Sequence, residues 1–316
     1  MFRLLFILVL VGCSIKEEKS ANPRDMITNM PLFPFKSTEQ MPQETAHWKP
    51  QNRGVTDEDS KLKVLMDLLK SGKTCDLAVR FGLYQHLGVM RLTPQKAVAN
   101  NPNIQITGKY FYLKHGKPID VMGILHKTEN KLKISESFEG KKTGYFEFSS
   151  DKSRSNFWSA KKNGDSKEAA TLVHACESKL SVPLSRSYFH RPHKTQDMGS
   201  LKGDGKIYDV EDWVWVTKLS DGHIAFYVYV IGGNFHTGKW DGIAKSTSTE
   251  NAYIHDSIDT ASYRCVIPIF IKPKQSLTMK DVDCDGCCGH RATLNWEYTF
   301  KAEMFPLTPS SSTAVK

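Results

Sequence analysis

The sequence predicts a mainly β protein: two small antiparallel β-barrel or sandwich domains with a few peripheral helices. Three features carry that prediction. Apolar and polar residues alternate over short runs, turn residues separate the runs at steady intervals, and a polar stretch punctuated by Pro and Gly divides the runs into two groups. Short strands joined by tight turns favour a sheet that curls and closes on itself.

In the first group, residues 108–113 read as a strand and His115-Gly116 as its turn. Residues 119–125 follow, turned by Glu129-Asn130, and Leu132, Ile134 and Glu136 alternate with polar neighbours. Gly140-Lys141 turns the chain again, and residues 144–148 lead on to Phe157-Trp158. A helix precedes these strands. Thr56 suits its N-cap, Asp57, Glu58 and Asp59 its first turn, Leu62, Leu65, Met66 and Leu69 one apolar face, and Gly72 its stop. The spacing of Leu172, Val173, Cys176 and Leu180 predicts a second helix over 167–180. The first domain therefore covers 56–180.

Pro183, Pro192, Gly199, Gly203 and Gly205 mark 181–206 as a linker. The second domain, 207–305, opens with a strand over 208–216, an Asp221-Gly222 hairpin turn and a returning strand over 223–231. Further strands are predicted over 251–254, 262–271, 275–280 and 293–301, and 306–316 read as a Ser/Thr/Pro tail. Trp213 and Trp215 fall on one side of their strand, as do Tyr227 and Tyr229 on the next. Such stripes are usually core; facing solvent, they make an aromatic platform for a glycan or a protein loop.

The first residues set the address. Arg3 supplies a positive start, residues 4–11 are uniformly apolar but far shorter than a membrane span, and the run ends in Leu10-Val11-Gly12-Cys13. This resembles the bacterial lipobox. The resemblance implies that residues 1–12 are a signal peptide and that Cys13 carries the lipid (palmitate among its chains) that anchors the mature lipoprotein. Ser14 rather than Asp follows Cys13, which in the enterobacterial sorting pattern favours the outer membrane. Residues 13–55, rich in Pro and charge, then form a flexible tether.

Net charge is +9, carried by scattered lysines rather than one block; a solvated basic surface is the favoured reading, and attraction to anionic lipid, acidic glycans or acidic proteins is the alternative. No nucleic-acid module is recognisable. Seven cysteines become six once Cys13 is lipidated, and an even set in an oxidising compartment predicts disulfides among Cys75, Cys176, Cys265, Cys284, Cys287 and Cys288. The preferred pairing joins Cys75 to Cys176 and Cys265 to the Cys284–Cys288 cluster; spacing alone does not select it.

The second domain resembles small secreted β-modules of bacterial envelope proteins, some of them related to lysozyme inhibitors. The residues that carry the resemblance are Gly233-Asn234-Phe235-His236, Gly238, Gly242, Ala244, Tyr253, Cys265, Ile267, Ile269, Ile271, Leu277, Cys288-Gly289 and Trp296-Glu297-Tyr298. The first domain resembles another exported module through Gly108-x-Tyr110-x-Tyr112, Gly123 and Gly140-Lys141-x-Thr143-Gly144. The resemblance implies binding or inhibition and no catalytic motif. The Ser-Gly-x-x-Tyr loop of the lysozyme inhibitors has no counterpart here.

Several constellations carry potential chemistry. Cys284, Cys287, Cys288 and His290 have zinc-like spacing, but adjacent Cys287 and Cys288 point apart, and disulfides are the better reading. Asp281, Asp283 and Asp285-Gly286 open like an EF-hand loop, yet Ala292 replaces the closing Glu, so a solvated turn is expected. His190 and His193 flank Pro192 and read as exposed loop residues. His236, with Asp241 or with His255-Asp256, sketches an acid–base pair without a nucleophile elbow.

Taken together, these readings describe a lipid-anchored envelope protein that binds or inhibits a protein or glycan partner, with no cofactor and no metal. The expected contacts are loop 233–240 with Asn234, His236 and Trp240, and segment 281–290 with His290. The competing readings are an envelope hydrolase using His236 with an acidic partner, and a purely structural envelope protein.

Overall fold

The computed structural model describes residues 58–304, apart from 83–85, 97–100, 113–117, 139, 151–155, 161–166, 178–183, 185, 198–204, 259–263 and 281–293. Cys13, the tether, Cys284, Cys287, Cys288, His290 and the tail lie outside the described residues. Among the described residues no helix is long and apolar enough to cross a membrane.

The described chain is one helix, α1 (Glu58–Lys70), and sixteen strands that close into two eight-stranded antiparallel barrels. The first contains β1 (Cys75–Phe81), β2 (His86–Pro94), β3 (Asn103–Tyr112), β4 (Pro118–His126), β5 (Lys131–Phe138), β6 (Lys141–Ser149), β7 (Phe157–Ala160) and β8 (Lys167–Glu177). The second contains β9 (Arg186–Gln196), β10 (Ile207–Lys218), β11 (His223–Ile231), β12 (Thr237–Ser246), β13 (Ala252–Ile258), β14 (Arg264–Lys272), β15 (Ser276–Met279) and β16 (Trp296–Met304). In both, each strand pairs with its neighbours in sequence, and the last strand closes on the first, β8 on β1 and β16 on β9. Closure removes the free sheet edges that would otherwise template aggregation.

Helix α1 carries Glu58 and Asp59 in its first turn and is followed by Gly72, whose φ of +80° suits a residue without Cβ; Thr56 and Asp57 lie outside the described residues. Lys73 N donates to Leu68 O at 3.0 Å and Gly72 N to Leu69 O at 3.2 Å, a Schellman closure. Its buried face, Leu62, Leu65, Met66 and Leu69, packs on the interior of the first barrel, each side chain contributing about 2 kcal/mol of burial. Glu58 accepts from Asn156 Nδ2 (3.0 Å) and Leu172 N (3.2 Å), and Lys70 donates to Asn130 at the β4–β5 turn, so the helix caps one end of the barrel. Gly108 is required by a close approach. A Cβ there would lie 2.1 Å from the carbonyl oxygen of Arg91 on β2.

Three expectations change. Residues 167–180 are not a helix but supply β8, and the linker 181–206 supplies β9. Leu172, Val173 and Cys176, whose spacing suggests a helix, lie instead in a strand whose register is shifted by a bulge between Ala78 and Val79, so that Leu172 pairs with Val79 and Ala175 with Leu77. β9 escaped notice because several of its inward positions, Arg191, His193 and Thr195, are polar. Pro192 lies beyond His190, the last residue that β16 pairs. Finally, Cys75 is paired across the ladder with Glu177 and Cys176 with Asp76, one residue out of step, and no disulfide is seen among the described residues. Cys265 pairs with Ser257.

The barrels share a third apolar cluster. Ala78, Leu87, Val89 and Phe111 on the outside of the first meet Trp215, Leu219, Ala225 and Tyr227 on the outside of the second. This explains why β1 and β11 are buried on both faces, one turned into its own barrel and the other, with Ala78 of β1 and Ala225 and Tyr227 of β11, into the seam. Arg186 lies over Phe111 and Trp215 at 4.8 and 5.4 Å, and Arg80 pairs with Asp241 across the seam at 2.7 Å.

Candidate functional site

The register of β9–β12 sets side chains of the outer face in rows, because directly paired residues share a face. One row reads Tyr188–Trp215–Tyr227–Asp241, and the next reads His190–Trp213–Tyr229–Lys239. The first row is the seam. Trp215 and Tyr227 are buried, Tyr188 stacks on Trp215 at 4.5 Å, and Asp241 holds Arg80. The second row emerges from it. Trp213 and Tyr229 are half-buried with ring centroids 5.3 Å apart, and Lys239 is exposed with its ammonium 5.8 Å from the Tyr229 ring. The stripes noted in the sequence are therefore neither barrel core nor a wholly free platform. They begin as an inter-barrel contact and end as a shelf.

Polar groups frame the shelf. His190 Nδ1 contacts Glu211, which also accepts from Lys301 at 3.0 Å, and Lys301 lies 5.4 Å from the Tyr188 ring. Burial, and then the charge of Glu211, push the Tyr188 hydroxyl up to about 12; burial, then Asp241 and Tyr229, do the same for Tyr227. Tyr229 is raised by burial and by Asp212. These phenols stay neutral hydrogen-bonding groups near neutral pH. A row across four strands spans about 14 Å, with cationic or polar donors at both ends of two flat rings.

A second constellation fills the end of the second barrel. Asp212, fully buried, accepts from Arg191 Nε (2.9 Å) and Nη2, from Ile231 N (2.6 Å) and shares a contact with His193 Nε2 (2.9 Å). The Arg191 guanidinium lies 3.7 Å from the Trp296 ring centroid. His190 and His193 are thus strand residues rather than exposed loop residues. In the first barrel, Glu136 is buried beside Trp158, Thr143 and Gly144. Burial raises its carboxyl to about 7, against the lowering effect of hydrogen bonds from Trp158 and Thr143.

The other predicted site residues separate. Asn234 (φ +62°) and His236 shape the turn between β11 and β12, where Gly232 N donates to His236 O at 2.7 Å. Trp240 packs against the interior cluster of the second barrel, and His255 is buried with Nδ1 2.8 Å from Ile243 O. A Cβ on Gly242 would meet the His255 ring at 2.4 Å, which fixes that position as glycine. Asp241 lies on the outer face at the seam, so the sketched acid–base residues are spread over different surfaces. No family model matches the chain, and no curated protein or solved structure matches it.

Proposed function

We propose that the protein is a lipid-anchored envelope protein that binds an acidic glycan on the shelf formed by His190, Trp213, Tyr229 and Lys239. The observation that carries this reading is the second aromatic row, half-buried and continuous with a seam that holds it rigid. Rigid aromatic faces stack on the apolar faces of sugar rings, and little ordering entropy opposes binding. Lys239, Lys301 and the net charge of +9 favour an anionic chain. The Leu10-Val11-Gly12-Cys13 motif and Ser14 support attachment at the outer membrane, with 13–55 as the spacer.

Calorimetric titration of the full chain in detergent with a uronic-acid hexasaccharide tests this. Binding that weakens with salt is expected, and a neutral glucan of equal length should bind far less. Trp213→Ala with Tyr229→Ala should weaken it by about tenfold or more, as central aromatic anchors do. Equal binding by the double variant, or none by the folded parent, would reject the shelf.

A further inference from the structure

At the edge of the seam, away from the shelf, three side chains from both barrels converge. Asp221 and His223 come from the β10–β11 hairpin of the second barrel and His174 from β8 of the first. Asp221 Oδ1 is 2.8 Å from His223 Nδ1, and Asp221 Oδ2 is 3.4 Å from His174 Nε2. The imidazole centroids are 4.6 Å apart, and the three ligand atoms lie within 4.8 Å of one another. We propose that His174, Asp221 and His223 form a binding site for a divalent transition-metal ion of the zinc type, which clips the two barrels together.

The donor set fits. Two imidazoles and a carboxylate are common zinc ligands, and a tetrahedral ion with bonds of about 2.0–2.2 Å places its ligand atoms about 3.3 Å apart. The observed spacings straddle that value. Three protein ligands leave a fourth position for water, and Asp221 is exposed, which gives an ion a path in.

The backbone is arranged to present His174. In an uninterrupted strand, Leu172 and the residue two further on would share a face, turning both into the barrel. The bulge at this point instead lets Ala175 pair with the inward Leu77, and His174 pairs with Ala78 of the seam. Bulges often re-aim a side chain in this way beside functional sites. His174 Nε2 is almost fully shielded from solvent and makes no well-directed hydrogen bond.

The test is a titration of the chelator-stripped full chain with Co²⁺, read in visible light, and then with Zn²⁺ in competition. One ion per chain is expected, with ligand-field bands and no intense near-ultraviolet thiolate band. His174→Gln and His223→Gln, on different barrels, should each weaken binding by more than the roughly 10–100-fold that losing an outer-shell partner costs. His126→Gln should leave binding unchanged. Zn²⁺ should raise the melting temperature of the parent and not of either folded variant. A thiolate band alone would place the ion on cysteines and overturn the proposal. So would unchanged affinity in both variants, or no binding by the folded parent.

Discussion

Replacing Asp212 with alanine is expected to destabilise the second barrel by about 3–5 kcal/mol, the range found when one partner of a buried ion pair is removed. The reason lies in what remains. The Arg191 side chain is only 9% exposed, and both its Nε and Nη2 bonds to Asp212 disappear together with those of Ile231 N and His193. A guanidinium inside a barrel without its carboxylate has no water to turn to. Urea unfolding followed by tryptophan fluorescence measures the loss. The double change Arg191→Met, Asp212→Leu should recover most of it, because the pair is costly to break and cheap to replace by apolar volume. A loss below about 1 kcal/mol for Asp212→Ala would show that the pair is solvated, contrary to its burial.

Glu136 gives the second large effect, and its sign is opposite to that of a paired acid. Its carboxyl rises from the ordinary 4.5 to about 7 because burial disfavours the charge. Below pH 4.5 the acid is neutral whether the chain is folded or not, so nothing is lost. Between pH 4.5 and 7 the unfolded chain releases its proton while the folded chain retains it, and stability falls as pH rises. Above pH 7 the loss is complete, about 3 kcal/mol. Glu136→Gln keeps the shape and an acceptor for Trp158 without the charge. Relative to the parent, the variant should gain about 3 kcal/mol between pH 4.5 and pH 8 in denaturant titrations. A difference between the two proteins that does not change with pH would show that Glu136 has water access.

The two-barrel architecture was legible because most strands obey a period of two. β3–β6 and the first half of β10 alternate, and the turns β4–β5, β5–β6 and β10–β11 carry Asn130, Gly140 and Gly222 at positive φ. The strands that escaped are those whose inward residues are not simply apolar. β9 presents Arg191 and Thr195 inward, β12 presents Gly238 and Gly242 with Trp240 and His255 filling the space, and β8 carries a bulge. β1 and β2 also went unmarked, since β1 is buried on both faces. The candidate sites divide in the same way. Parity along β10 sets Trp213 beside Trp215 and parity along β11 sets Tyr227 beside Tyr229, while the register puts the two pairs on one face. Only the docking of the first barrel decides that Trp215 and Tyr227 are covered while Trp213 and Tyr229 emerge. The Asp221-Gly222 turn was visible too, but no local pattern links it to His174, which reaches it through a bulge and an inter-barrel contact.

The most direct test of the binding account is an indole ¹⁵N–¹H spectrum of the tryptophan-labelled full chain titrated with the uronic-acid hexasaccharide. Trp213 lies on the shelf, Trp158 in the first barrel, Trp240 and Trp296 within the second, and Trp215 under the seam. The account predicts a large, saturable shift of the Trp213 indole and little movement of Trp158, Trp240 and Trp296. A static Trp213 signal, with shifts of Trp240 and Trp296 instead, would place the ligand at the end of the barrel and contradict it.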